Sequence, residues 1–237
     1  MKPLGVISGI ILLQRAGIFD NLEEREVTTE FGKALFFASD AVAFIPRHGK
    51  DPGNHILPHM INQRANLKAL KDLGVNEIIS INSTGSLKRT LKPGMVVIPD
   101  DFIVLYGTST TICAEATHIT PKLCEGVRQK LLESAHDCGI DVVNSGTYWQ
   151  TTGPRFETKA EIRMMSQYAD IVGMTMASEA IVAQELGMSY ASLCSVDNYG
   201  HGLGEKELSI EEILLHARKN ADVIVKIVMR YMERRKG

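Results

Sequence analysis

Short apolar runs alternate with amphipathic stretches along the whole chain. Runs rich in β-branched residues and bounded by Gly, Pro, Asn or Asp predict strands at 4–7, 41–45, 77–81, 95–98, 102–106, 171–174 and 189–196. Ile61, Ala65, Ala69 and Leu73 recur at a spacing of four, so a helix follows Pro58 and ends near Gly74. A second helix is predicted from 121 to about 136, with proline in its first turn. Two more are predicted at 159–167 and 179–186. The last opens at Ser209, with Glu212 three residues on as a capping box, and carries Ile213, Ala217, Ile224 and Val228 on one face. Strand and helix alternate without repeat or linker. That pattern predicts one α/β domain over 1–237, a mixed central sheet flanked by helices.

Composition narrows the class. The 237 residues are 44% hydrophobic and carry a net charge of −2, which argues against disorder and leaves no electrostatic footprint for nucleic acid. No apolar run approaches the roughly 20 residues that span a bilayer, and the N-terminus has no signal-peptide cleavage pattern. Cys113, Cys124, Cys138 and Cys194 show neither a CxxC pair nor metal-ligand spacing, as expected of free thiols in a reducing cytoplasm. A cytoplasmic enzyme or binding protein remains, with no membrane or nucleic-acid partner.

Ligands of such sheets sit beyond the carboxyl ends of strands. The polar, glycine-containing segments there are the candidates for chemistry. Arg47-His48-Gly49 offers a guanidinium fork beside an imidazole, a good oxyanion clamp, against the plainer reading of a surface arginine. Arg47 has no evident local charge partner, so its burial calls for an anion. Asn82-Ser83-Thr84-Gly85-Ser86 is expected to form a turn able to nest an anion, or simply to bond its own backbone. In Gly153-Pro154-Arg155-Phe156-Glu157-Thr158, Phe156 can stack on a flat ring and Glu157 can accept from a ring N–H, whereas the plain reading has Thr158 cap the next helix. Asn198 can pair with both a donor and an acceptor, or be only a turn residue. No HExxH, GxSxG or Walker loop is present.

Taken together these segments, with Pro58-His59, Asn62-Gln63-Arg64-Ala65-Asn66, Leu87, Pro93-Gly94, Val172-Gly173-Met174-Thr175 and Glu179, resemble the trimeric purine nucleoside phosphorylase and methylthioadenosine phosphorylase family over about residues 4 to 228. The resemblance implies attack of phosphate on C1′ of a purine nucleoside, with catalysis by positioning and electrostatic stabilisation. It implies a homotrimer or hexamer, and no metal or organic cofactor. Phosphate would contact Arg47, His48, Ser83 and Thr175. Glu157 and Asn198 would be the catalytic, base-reading pair. Phe156, Met174, Thr84 and Gly85 would line the nucleoside site. Relatives acting on 6-aminopurines carry Ser or Thr in place of Glu157 and Asp in place of Asn198 and Gly200. This chain therefore leans toward 6-oxopurines, unless a register shift brings Asp197 into play. Ile210 and Leu214, four apart, are expected to wall the 5′ position with apolar surface. That favours a nucleoside like 5′-methylthioinosine.

The chain also departs from the family. The first phosphate loop has Ile10 and Ile11 where a hydroxyl residue and a glycine are usual, with Ser8 as a substitute. Asp51-Pro52-Gly53 looks inserted, and Gln63 replaces an aromatic. Three readings follow: a phosphorylase, a nucleosidase using water, and a purine-nucleoside-binding protein without catalysis. Retention of Arg47, His48, Ser83 and Thr175 favours the first.

Overall fold

The computed structural model describes residues 2–9, 21–112, 117–205 and 208–236. Ile10, Ile11 and Cys113 lie outside the described residues. In chain order the elements are β1 (Leu4–Ser8), β2 (Glu23–Thr29), β3 (Gly32–Ala38), β4 (Val42–Pro46), α1 (Gln63–Asp72), β5 (Glu77–Ser86), β6 (Val96–Val97), β7 (Asp101–Val104), α2 (Glu125–Asp137), β8 (Thr147–Gln150), α3 (Lys159–Met165), β9 (Ile171–Gly173), α4 (Met176–Glu185), β10 (Ser189–Tyr199) and α5 (Ile210–Lys236). The ten strands among the described residues join one mixed sheet, and the expected α/β class holds.

Its centre is the parallel set β4–β1–β5–β10. These strands read as nearly unbroken apolar runs because both faces are covered. On one side Ile7, Ile45 and Ile78 pack with Leu67 and Leu70 of α1 and Met176 and Ala180 of α4. On the other, Leu4, Val6, Phe44, Ile79 and Ile81 pack with Val127 and Leu131 of α2 and Ile224 and Val228 of α5. Each such side chain, fully buried, contributes about 1.5–3 kcal/mol. Because the four strands are parallel, Ser8, Arg47, Ser83 and Asn198 converge on one edge of the sheet.

The structure departs from the sequence expectation in four places. The hairpin β2–β3 was not predicted: β2, Glu-Glu-Arg-Glu-Val-Thr-Thr, is almost wholly solvent-facing and is held by its ladder to β3. Charge on such an outer strand discourages pairing with other chains, and it also hides the strand from apolar patterning. The short strand β8 was missed as well. Asn82–Ser86 is not a turn but the continuation of β5, which pairs with β10 from Glu77 opposite Ser189 to Ser86 opposite Tyr199. Finally, α2 begins at Glu125, because the Cys124 N–H is drawn to the Tyr190 carbonyl in the sheet (2.8 Å).

Candidate active site

A cavity of about 350 Å³ opens at the carboxyl edge of the central strands. That size suits a small organic ligand. Its lining gathers Arg47, His48, Ser83, Thr84, Gly85, Phe156, Glu157, Met174, Thr175 and Asn198 from five separate segments of chain. Among the expected site residues, Ser8 lies apart, in a smaller adjoining cavity of about 140 Å³ that Arg47, His48 and Ser83 also border.

At one end Glu157 is buried, and its Oε1 accepts from Thr151 Oγ1 (2.7 Å). Among the described residues Oε2 has no partner, so a ligand N–H can be received there. Thr158, the next residue, caps α3 in a reciprocal capping box with Glu161. The plain reading therefore holds for Thr158, while Glu157 beside it lines the cavity. Gly153 has φ +67°, and a Cβ there would come within 2.7 Å of Met174 Sδ. Only glycine lets the loop carrying Phe156 and Glu157 settle against Met174. Phe156 is exposed at the mouth of the cavity.

The register question at Asp197 and Asn198 is resolved by a bulge. Pairing of β10 with β5 skips from Val196 to Asn198. Asn198 faces Gly85, whose missing Cβ leaves room for the amide at 3.1 Å. Its Nδ2 donates to the Tyr199 carbonyl (2.8 Å), leaving a second N–H and Oδ1 toward the cavity. Asp197, the extra residue, turns the other way. It is fully buried, accepts from Ser195 Oγ (2.9 Å) and Asn220 Nδ2 (3.0 Å), and borders the smaller cavity instead. Burial raises its pKa against the opposing hydrogen bonds of Ser83, Ser195 and Asn220.

At the other end the expectation for Arg47 needs correction. Arg47 is buried, yet its charge is already compensated within the protein. Nε and Nη2 reach the two oxygens of Glu179 (2.6 and 3.0 Å), Nη1 donates to the Ile81 carbonyl (2.6 Å), and Nη2 donates to Ser80 Oγ (2.7 Å). Burial works against the guanidinium charge, and Glu179 outweighs it, so Arg47 is held above its ordinary range. Glu179 lies 132 residues away on the first turn of α4, out of reach of any local reading. It also accepts from Ser80 Oγ and Tyr190 OH, both at 2.8 Å. The network extends through Asn82 to Thr175, whose Oγ1 donates to Asn82 Oδ1 (2.9 Å).

His48 donates from Nδ1 to the Ile56 carbonyl (2.8 Å), since a carbonyl can only accept, and it stacks on His55. Burial, then the neighbouring Arg47 charge, lower its pKa to about 4, so the ring is neutral near pH 7. The Asp51-Pro52-Gly53 stretch forms a single 3₁₀ turn closed by Asp51 Oδ1 on the Gly53 N–H, and the chain returns to His48 through the Ile56 N–H (2.9 Å).

The apolar wall comes from other residues than expected. Ile210 and Leu214 are 59% and 41% exposed and do not border the cavity. Leu208 and Ile213 do, with Leu57 and Pro58 across from them. The inward face of α5 runs through Ile213, Ala217, Ala221 and Ile224, the periodicity already visible in the sequence, and Ile210 and Leu214 fall beside it. Thr84 borders the cavity, but its hydroxyl donates to the Ser195 carbonyl (2.8 Å).

Comparison with known proteins agrees with this architecture. The family model described as "Phosphorylase superfamily" matches residues 5–233. The chain is 39% identical over 230 residues to a probable 6-oxopurine nucleoside phosphorylase of Archaeoglobus fulgidus, covering 95% of this chain and 93% of the relative. It is 40% identical over 230 residues to a probable S-methyl-5′-thioinosine phosphorylase of Methanothermobacter thermautotrophicus, covering 92% and 79%. The structure of methylthioadenosine phosphorylase from Schistosoma mansoni in complex with tubercidin superimposes with a TM-score of 0.85 at 28% identity, covering 98% of this chain and 91% of that one. With the model match spanning nearly the whole chain and the fold shared, this protein belongs to the phosphorylase superfamily.

Proposed function

We propose that the protein cleaves the N-glycosidic bond of a 6-oxopurine nucleoside with phosphate, releasing the purine base and a ribose 1-phosphate. The observation that carries this reading is the meeting, in one cavity, of Glu157 and Asn198 at one end with Arg47, His48, Ser83 and Thr175 at the other. A 6-oxopurine offers N1–H as a donor and O6 and N7 as acceptors. Glu157 Oε2 receives the N1–H, and the second Asn198 N–H reaches O6 or N7, where it stabilises the negative charge of the leaving base. Asp197, which would favour a 6-amino group, faces away from this cavity. Phe156 covers the base and Met174 lies along the ribose. Phosphate enters as co-substrate at the Arg47 end.

The apolar surface of Leu208, Ile213, Leu57 and Pro58 favours a 5′-methylthio substituent, and hence 5′-methylthioinosine. The similarity to relatives named for 6-oxopurine nucleosides and methylthioinosine supports the same choice. The assembly is a homotrimer or a multiple of one. Exposed Ile56, Leu57, Met60 and Tyr106 supply apolar surface for a second copy. Among the described residues Cys124, Cys138 and Cys194 are free, in keeping with a reducing cytoplasm, and no helix is long and apolar enough to cross a membrane.

The test is to incubate the protein with 5′-methylthioinosine, inosine, guanosine and methylthioadenosine, with and without phosphate, and to identify the sugar product. Sugar 1-phosphate is expected only when phosphate is present. Free sugar released at a rate indifferent to phosphate would make the protein a nucleosidase. Nucleoside binding without turnover would make it a binding protein.

A further inference from the structure

The segment that follows Asn198 folds back onto the start of α3. The Gly200 N–H donates to the Ser86 carbonyl (2.8 Å), and the Leu203 N–H donates to the Gly200 carbonyl (2.9 Å), closing a four-residue turn. Gly202, the third residue of that turn, has φ +82°, the left-handed value that a type II turn takes there. Both glycines press against α3. A Cβ on Gly200 would come within 2.7 Å of Ile162 Cδ1, and one on Gly202 within 2.9 Å of Lys159 Cγ. Ile162 is itself buried in a cluster with Leu87 and Trp149. The turn is thus seated on the first turns of α3, and its second residue, His201, reaches the chain just ahead of that helix.

The residue it reaches is Glu157. Glu157 precedes the N-cap Thr158, so its carbonyl lies outside the hydrogen-bond ladder of α3. His201 Nδ1 takes up that carbonyl at 3.2 Å. A carbonyl can only accept, so Nδ1 carries the hydrogen. His201 also borders the larger cavity, alongside Glu157 and Asn198, and does not border the smaller one at the Arg47 end. Glu157 and His201 are 44 positions apart, and Asn198 lies three residues before His201. One side chain therefore ties the loop that carries Glu157 to the strand end that carries Asn198. Two groups that read the edge of one flat ligand need their separation held to about 0.5 Å. The Glu157 carboxylate has a single bond to Thr151 to hold it, and Phe156 beside it is exposed, so the backbone tie is where that separation is set.

We propose that His201 is a positioning residue for base recognition: its Nδ1–H clasps the Glu157 backbone and fixes the spacing of Glu157 and Asn198 around the purine. This rests on the reading of Glu157 and Asn198 as the pair that reads the base.

The experiment compares wild type, His201→Ala, His201→Asn and Glu157→Gln, each shown folded by its melting transition. For each, kcat and KM are measured for 5′-methylthioinosine and KM for phosphate, and the binding of hypoxanthine is followed by calorimetry. His201→Ala should raise the nucleoside KM and weaken hypoxanthine by tenfold or more, with the phosphate KM changed by less than about twofold. In His201→Asn the amide Nδ2 occupies nearly the position of the imidazole Nδ1 and should recover most of the loss. A merely structural role would weaken nucleoside and phosphate alike and would show no rescue by asparagine. Parental nucleoside KM in His201→Ala, equal losses for nucleoside and phosphate, or a His201→Asn variant no better than His201→Ala would each overturn the inference. If Glu157→Gln weakens the base in such a case, the reading of Glu157 stands and only the role of His201 falls. If Glu157→Gln also binds hypoxanthine as the wild type does, both fall.

Discussion

The two ends of the cavity satisfy their buried polar groups in opposite ways. At the base end, Glu157 and Asn198 each make one hydrogen bond within the protein and hold the rest of their capacity toward the ligand. At the oxyanion end, Arg47 sits in a closed network with Glu179, Ser80 and Ile81, itself joined to Tyr190, Asn82 and Thr175. Buried polar groups need partners at both ends. One end takes them from the ligand and the other from the fold. Substitutions at the base end should therefore cost activity and spare stability, whereas those in the Arg47 network should cost stability first.

The largest expected effect is at Glu179. Glu179→Gln keeps the size of the side chain but leaves the Arg47 charge buried without its counter-charge, a loss of about 3–5 kcal/mol. Chemical unfolding measures it, and a loss under 1 kcal/mol would show that the network carries little. Next is Glu157→Gln, which replaces an acceptor facing the ring N–H with an amide. The fall in kcat/KM for 6-oxopurine nucleosides should be on the order of 1–3 kcal/mol, tenfold or more. Because the amide oxygen can still accept from Thr151, unfolding stability should change by under about 1 kcal/mol. Equal losses of activity and stability would erase the contrast between the ends.

The smallest effect is that of pH on His48. Its pKa falls from the ordinary 6.5 to about 4 on folding, so between those values the unfolded chain binds more protons than the folded one. The stability due to neutral His48 is complete above about pH 6.5 and is lost as pH falls toward 4. Asp197, with its raised pKa, acts in the opposite direction. The His48 share is read as the difference between wild type and His48→Gln, whose acid limb should be flatter.

Apolar periodicity revealed what packing decides. The central strands were legible because their side chains enter the core on both faces, and the helices because each buries an apolar face against the sheet. The hairpin β2–β3 was not, since β2 contributes almost no core and is fixed by backbone pairing alone. Glu179 was visible as a motif residue, but its pairing with Arg47 joins elements 132 positions apart. No local pattern encodes that distance. The bulge that separates Asp197 from Asn198 depends on the match of β10 to β5, a property of two strands together. Ile213 was within reach, because the inward stripe of α5 already contained it. Ile210 and Leu214 share the helix start but are rotated away from the cavity.

The most direct test of the base end is a competition between 5′-methylthioinosine and 5′-methylthioadenosine in one vessel at saturating phosphate, run for wild type and Asn198→Asp. The wild type should consume the inosine compound at least tenfold faster. The variant replaces the amide's donors with carboxylate oxygens and should move the ratio toward the adenosine compound by on the order of 1–3 kcal/mol. A wild-type protein that consumes the adenosine compound first, or a variant with the parental ratio, would contradict the assignment of Glu157 and Asn198 as the residues that read the base.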